Sequence, residues 1–392
     1  MKTNRYSYLM MFGHICTDLN QGALPAILPF LITQYGLSYT SAAGLVFASN
    51  LISSVVQPLF GFLGDRASKP GYMALGILLA GGGISLIGLL PSYWMIFIAA
   101  MIYGTGVAMF HPEGGKLANL VAGENKGAGM SIFAVGGNLG FALGPIVASL
   151  SILTCGLKGT IIFIVPATIM SIIFLYTSKI LQGFLKEDRE RRASSKKDDK
   201  GQEPAKDDWN SFNRVTSLVF CRSIINYGLV TFIPLYLVGV MLESNSYGNM
   251  ALSIYSLSAA FATLVGGRMA DRFGFQRIIK LGSLALFPFI FLSIQMNNSL
   301  GAIIFFALAA FAFGGSHSTL IALGQAYLPN RMGLASGILL GLTVSIGGMA
   351  APGIGKIGDI FGLTAAMYTI AGVAFVGILI TFLLPKSSTE AQ

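Results

Sequence analysis

His14, Asp18, His111, Glu113, Arg222 and His317 stand within long apolar runs of this sequence, and Lys116 near the inner edge of one. A charge placed in hydrocarbon costs at least about 2.5–3.5 kcal/mol on insertion scales, so each of them needs a reason. His14 and Asp18 are four residues apart and share one helix face, which Gln21 extends by a further turn. Phe110-His111-Pro112-Glu113 sets a titratable pair around a proline that cannot donate its backbone hydrogen bond and should kink its helix, aiming both side chains inward. Arg222 and Asn226 repeat the four-residue spacing, and Asn138 adds a neutral polar group. Two chemistries fit this set. Asp18 or Glu113, with His111, can take up and release a proton if water reaches them from alternate sides. Arg222, with His111 and His317, suits the oxygens of a carboxylate or phosphonate, and His14, Gln21, Asn138 and Asn226 could complete a substrate site. The competing account is structural: the acids pair permanently with Arg222 or a histidine.

The elements that must carry these groups are membrane helices. Of 392 residues 54% are hydrophobic and 10% charged, against roughly a quarter charged in a soluble domain. Apolar runs long enough to cross a bilayer recur throughout, at roughly 8–32, 41–63, 72–90, 94–117, 128–152, 159–178, 214–241, 249–269, 278–296, 300–323, 333–355 and 363–384. The first carries His14, Asp18, Gln21, Pro25 and Pro29 and is too long for a cleaved signal peptide. Basic residues set the orientation: with the N-terminus inside, the cytoplasmic segments collect Lys2, Arg5, Arg66, Lys69, Lys126, the 179–214 stretch, Arg268, Arg272, Arg277, Lys280, Arg331 and Lys386. The outer loops offer little beyond Lys158 and Lys356. The net charge of +9 is thus a topology signal and not a nucleic-acid footprint. Cys16, Cys155 and Cys221 read as small core residues without a disulfide framework.

The segment 179–213 is the only long charged tract, too rich in mixed charge to bury a core, and reads as a cytoplasmic linker, flexible or a surface helix, between an N-terminal six-helix bundle (1–178) and a C-terminal one (214–392). The two sides repeat one another. Asp65 and Asp271 stand 206 residues apart, as do His111 and His317, and Gly127 and Gly333. Three landmarks with one offset indicate a duplication, with the functional site expected at the interface of the repeats near mid-membrane.

The first of these landmarks lies in G-F-L-G-D-R-A-S-K-P, which resembles the signature between helices 2 and 3 of the major facilitator superfamily. Gly61 and Gly64 let a neighbouring helix approach, and Asp65 can accept from backbone N–H groups at a helix N-terminus. The resemblance implies a cytoplasmic latch formed by Gly61, Gly64, Asp65 and Arg66, with Asp271 and Arg272 as its counterpart; Phe275 and Gln276 stand where basic residues are common. Ser131, Gly136, Gly140, Gly144 and Pro145 resemble the superfamily's exporter and antiporter motif, from whose closing glycine pair Ala148 and Ser149 depart. Finally G-H-I-C-T-D in helix 1, F-H-P-E in helix 4 and S-I-F-A-V-G-G-N-L-G-F-A-L-G-P in helix 5 resemble the fosmidomycin resistance protein family, a match that Q-P-L-F-G-F and G-L-A-S-G-I-L-L-G extend to both halves.

That resemblance implies an all-α fold of twelve transmembrane helices in two pseudo-symmetric bundles, helices 1, 4, 7 and 10 lining the cavity, and proton-coupled drug export by alternating access. It carries over membrane positions His14, Asp18, His111, Glu113 and Asn138. The sequence departs at Gly114-Gly115, where hydroxyl residues are expected, and at Ala134, where glutamine is expected. Both changes remove hydrogen-bonding side chains, which bears on substrate more than on mechanism. The expectation is a bacterial-type inner-membrane exporter, monomeric, with both termini cytoplasmic, no cofactor or metal, and protons and a small, anionic or phosphonate-type molecule as partners. Import of a small organic anion is the nearest rival, since fold does not fix direction. A channel fits the duplicated halves less well. No H-E-x-x-H, paired aspartyl-protease motif, serine-nucleophile loop or nucleotide-binding loop is present, so neither an enzyme nor ATP-driven transport is expected.

Overall fold

Inside hydrocarbon a chain segment has no water to satisfy its backbone, so it must close its own N–H to C=O bonds, and a helix does this within one segment. The computed structural model describes the backbone of residues 5–67, 70–123, 126–195, 207–329, 335, 338–339 and 343–384. Within those ranges the side chains at 55–67, 126–128, 188–195, 267, 271, 318 and 343–345 lie outside the description. All regular structure among the described residues is helical: α1 (Arg5–Tyr35), α2 (Tyr39–Ala67), α3 (Gly71–Ile87), α4 (Tyr93–Val121), α5 (Lys126–Cys155), a 3-10 stretch (Gly156–Phe163), α6 (Ile164–Ser195), α7 (Trp209–Gly239), α8 (Asn245–Phe273), α9 (Phe275–Gln295), α10 (Ser299–Tyr327), α11 (Thr343–Phe361) and α12 (Leu363–Phe382). Among the described residues, eight stretches, one of them continuous over Gly129–Glu187, are long and apolar enough to cross a membrane. Glycines in the left-handed region, Gly36 (φ 61°) and Gly123 (φ 58°), follow the ends of α1 and α4, where a side chain would strain the reversal.

Several boundaries differ from the sequence expectation. Helix α6 continues to Ser195, far past the expected end near 178, because K-E-D-R-E-R-R-A is made largely of strong helix formers and no proline occurs until Pro204. Helix α7 begins at Trp209, five residues before the expected span, because Asp208 caps it: the Ser211 amide donates to Asp208 Oδ1 at 3.1 Å and the Ser211 hydroxyl donates to Oδ2. The G-F-L-G-D-R motif lies within α2, not in a loop after it. The first ten residues expected in the eleventh span lie largely outside the described residues, and α11 starts at Thr343.

Hydrogen bonds from Ser211 hold the Asp208 carboxyl below the usual carboxylate range. A depressed folded-state pKa means that the cap stabilises above the ordinary aspartate value near 4 and is lost as pH falls through the lower, folded one. Asp208→Ala is therefore expected to cost about 1 kcal/mol at neutral pH. The difference from the parent should vanish in acid, as read by thermal unfolding in detergent.

Contacts divide the chain into two units. The first is Met1–Leu24 with Ala48–Pro204, and the second Pro25–Phe47 with Ala205–Gln392. In the first, α3 packs on α4 and α6. Gly76 and Gly106 face one another there: a Cβ on Gly76 would stand 2.7 Å from the Gly106 carbonyl oxygen. Its core gathers Met10, Phe110, Phe133, Phe174 and Leu181. In the second, α10 packs on α8 and α9, and α12 on α7 and α9. The start of α2 also belongs to this unit. Asp359, in the last turns of α11, accepts from the Tyr39 amide (2.7 Å), the Thr40 amide (3.0 Å) and the Thr40 hydroxyl (2.5 Å), satisfying backbone donors that the first turn of a helix leaves open.

Candidate functional sites

Helices α1, α4 and α5 of the first unit build a polar cluster. The four-residue spacing does what was expected of it: His14 Nε2 stands 3.1 Å from Asp18 Oδ2, and Gln21 Nε2 donates to Asp18 Oδ1 at 3.1 Å. From α4, His111 Nε2 reaches Asp18 Oδ1 at 3.0 Å. The three side chains are largely shielded, with 12%, 14% and 22% of His14, Asp18 and His111 exposed. Their donor atoms lie within 4.8 Å of one another, the one His, Cys and acid group so close among the described residues, and hydrogen bonds link its members.

The second ring nitrogen of His14 decides the protonation of this cluster. His14 Nδ1 is 2.8 Å from the Phe133 backbone carbonyl. A carbonyl oxygen only accepts, so Nδ1 carries a proton. A neutral imidazole then has only a lone pair on Nε2, which would face the Asp18 carboxylate oxygen at 3.1 Å. The contact is a hydrogen bond only when one further proton lies between the two groups, on His14 as imidazolium or on Asp18 as the acid. His14 is also stacked on the Phe133 ring, with centroids 4.0 Å apart, and set edge-on to His111 at 5.2 Å.

Helix α5 approaches closely because its facing positions are glycines. A Cβ on Gly136 would stand 2.5 Å from the Met11 carbonyl oxygen, one on Gly140 would strike that of Ile15, and one on Gly144 that of Leu19. Each step of four along α5 matches a step of four along α1. Gly137 lies beside this ladder, and its Cβ would come within 2.5–2.7 Å of His14 Cε1 and Nε2 and Asp18 Oδ2. Pro145 is buried in α5 and Glu113 in α4, 4% exposed. Asn138 is half-buried and makes no hydrogen bond to the cluster among the described residues.

The second unit holds a different site. Arg222 of α7 is 2% exposed, and its Nη2 donates to the Phe313 carbonyl of α10. Its guanidinium carbon lies 4.5 Å from the centre of the Phe313 ring, on which His317 stacks at 5.7 Å. Arg222 Nε and Nη1 are buried, and among the described residues of its own unit neither has a hydrogen-bond partner and no carboxylate pairs with the guanidinium. Asn226, one turn on, accepts from the Tyr255 hydroxyl at 3.2 Å. A cavity of about 210 Å³ opens beside Arg222, Asn226 and His317.

The structure thus brings His14, Asp18, Gln21 and His111 together in the first unit, and Arg222, Asn226 and His317 together in the second; His111 turns to Asp18. The side chains of Gly61, Gly64, Asp65, Arg66 and Asp271 lie outside the description, while Arg272 is exposed with its guanidinium 5.3 Å from the Phe273 ring centre. Four contributors escaped sequence reasoning: Phe133 and Phe313, which act through backbone carbonyls any residue could supply, Tyr255, and Gly137, which sits off the regular glycine face.

Long apolar helices with ionisable groups shielded inside them define an integral membrane protein whose buried charges mark a functional site. The model of the Major Facilitator Superfamily matches residues 10–352 and 249–392, and the chain belongs to that family. It is a transporter and not an enzyme. It is 29% identical over 386 residues to YfnC, an uncharacterized MFS-type transporter of Bacillus subtilis, covering 98% of this chain and 94% of that one. It is 27% identical to the fosmidomycin resistance protein of Escherichia coli over 375 residues, 95% of this chain and 90% of the relative. A bacterial homologue of the human lysosomal transporter Spinster, in an inward-facing and occupied conformation, has the same fold, with a TM-score of 0.79 at 14% identity over 97% of this chain and 96% of that one.

Proposed function

We propose that this protein is a proton-driven exporter of a small, anionic or phosphonate-type drug or metabolite. It resides in a bacterial plasma membrane with both termini in the cytoplasm, where the excess of basic residues in one set of loops would keep them. The observation that carries the proton role is the His14–Asp18 contact: with His14 Nδ1 committed to Phe133, the contact holds together only while a proton lies in it. Losing that proton sets a lone pair against a carboxylate, which favours parting the two groups, so proton release and helix movement become one event. Glu113, buried two residues beyond His111, is the second candidate carrier. Export is supported by the fosmidomycin resistance relative and by the glycine face of α5. In this reading Gly140, Gly144 and Pro145, the G-F-L-G-D-R motif and the Asp271-Arg272 pair act in gating as two halves alternate access.

The test is transport in inverted membrane vesicles with an imposed pH gradient, using fosmidomycin as the first probe and lipophilic cations for comparison. Right-side-out vesicles report import. Asp18→Asn is expected to reduce gradient-driven uptake into inverted vesicles to background and to abolish the accompanying proton efflux seen with a pH-sensitive dye. Undiminished gradient-driven transport in both Asp18→Asn and Glu113→Gln would refute the proton role.

A further inference from the structure

We propose that the α7–α10 pocket around Arg222 is a binding site for a small head group bearing one negative charge. The proposal rests on the reading of this chain as an exporter and names the substrate class that its second unit selects.

The argument begins with charge. A guanidinium stays protonated, so Arg222 brings a fixed positive charge to a position 2% exposed. Burying an ion is costly unless a partner of opposite charge and further hydrogen bonds compensate it. Arg222 receives only part of this: the Phe313 carbonyl takes Nη2, and the face of the Phe313 ring lies 4.5 Å away. Nε and Nη1 have no acceptor among the described residues. Among the described residues lining the cavity that Arg222 borders there is no aspartate or glutamate. A buried cation with two unmet donors, on a side chain that borders a cavity, is complementary to an anion.

The neighbouring polar groups favour the same occupant. The Asn226 side-chain oxygen accepts from the Tyr255 hydroxyl, so the bond Asn226 offers a ligand is through its amide NH2. The Tyr227, Phe313 and His317 rings and the apolar Val219, Leu320, Ile321 and Leu339 make up most of the remaining described lining. Arg222 is the one fixed charge among these residues and matches a single negative charge; a dianion would leave the second charge uncompensated. Size sharpens the inference. About 210 Å³ falls below the ~300–1,000 Å³ of sites for drug-sized ligands. The pocket therefore takes a head group or a small whole molecule, and a bulky lipophilic cation is excluded by both volume and sign.

Carboxylates and phosphonate monoesters share the required oxyanion, and the experiment separates them. Protein purified in an uncharged detergent is melted in the presence of propionate, methyl methylphosphonate, its neutral dimethyl ester, or tetraethylammonium. At least one of the two monoanions is expected to raise the melting temperature, and the larger shift identifies the oxyanion preferred; the neutral ester and the cation should give no shift. Binding of the better monoanion should weaken about 10- to 100-fold in Arg222→Gln, the range expected for losing charged hydrogen bonds. Arg222→Lys should fall between, because it keeps the charge and loses the planar fork. The melting series uses the unmodified protein and so stands even if Arg222→Gln fails to fold. Equal stabilisation by the neutral ester, no shift with either monoanion, or unchanged affinity in a folded Arg222→Gln overturns the proposal. Equilibrium binding needs no proton gradient. Intact anion binding with gradient-independent transport would therefore overturn the proton reading alone.

Discussion

Gly137→Ala is expected to bring gradient-driven transport to background in a protein that still folds and inserts. The added methyl would stand 2.5 Å from His14 Cε1, 2.6 Å from Nε2 and 2.7 Å from Asp18 Oδ2. All three atoms are at the ends of side chains, which can swing aside at modest cost, so the helices need not part. What cannot survive is the arrangement itself. His14 is pinned between the Phe133 carbonyl at 2.8 Å and Asp18 at 3.1 Å, and a shift of a few tenths of an ångström at Nε2 breaks one contact or the other. Proton efflux in inverted vesicles and the melting temperature, measured on one preparation, check this: the first should disappear and the second stay near the parent value. A Gly137→Ala variant that exports normally would mean that the His14–Asp18 geometry has no part in coupling.

Much of the architecture was legible because the bilayer enforces simple rules. Apolar runs of spanning length could only become helices, and the four-residue spacings of His14 with Asp18 and of Arg222 with Asn226 set each pair on one helix face. The partners across helices were not legible. His111 lies 93 residues from Asp18 in sequence, and nothing in either segment distinguishes an Asp18 that accepts from α4 from an Asp18 paired with Arg222. The Phe133 carbonyl that fixes the His14 tautomer belongs to the backbone and leaves no trace in residue type. Helix α6 outruns its apolar span for another reason: its charged turns end the span without ending the helix, because hydropathy marks the bilayer and helix propensity the backbone.

In the proposed exporter the two buried sites would divide the work by sign. In the first unit a carboxylate is surrounded by two imidazoles and an amide, a set whose net charge changes when one proton is gained or lost. In the second, a guanidinium keeps its charge, and among the described residues of that unit no carboxylate pairs with it. A transporter exchanging protons for an anionic substrate needs one group that titrates and one that does not. Were both groups titratable, or both fixed, binding of the two species could not be told apart by charge.

Gly140→Leu and Gly144→Leu are expected to fail at the level of folding, in contrast to Gly137→Ala. At these positions a Cβ meets the carbonyl oxygens of Ile15 and Leu19, which belong to the backbone of α1 and cannot rotate away. Relief requires α1 and α5 to separate, and separation gives up the dense small-residue packing that drives helix association where lipid is as apolar as the helices. Overpacking of this kind costs about 1–3 kcal/mol or more at each position. Separating the helices also pulls Phe133 away from His14, so any fraction that does fold should lose proton coupling as well. Gly372→Leu in α12 is the control, since nothing lies within 4 Å of a Cβ there. Size-exclusion profiles and melting of detergent extracts should show Gly372→Leu eluting as the parent does and Gly140→Leu and Gly144→Leu aggregated or melting well below it. Parent-like behaviour of both α5 variants would mean that α1 and α5 do not approach through this glycine face, and the support it gives to the His14–Asp18–His111 cluster would fall with it.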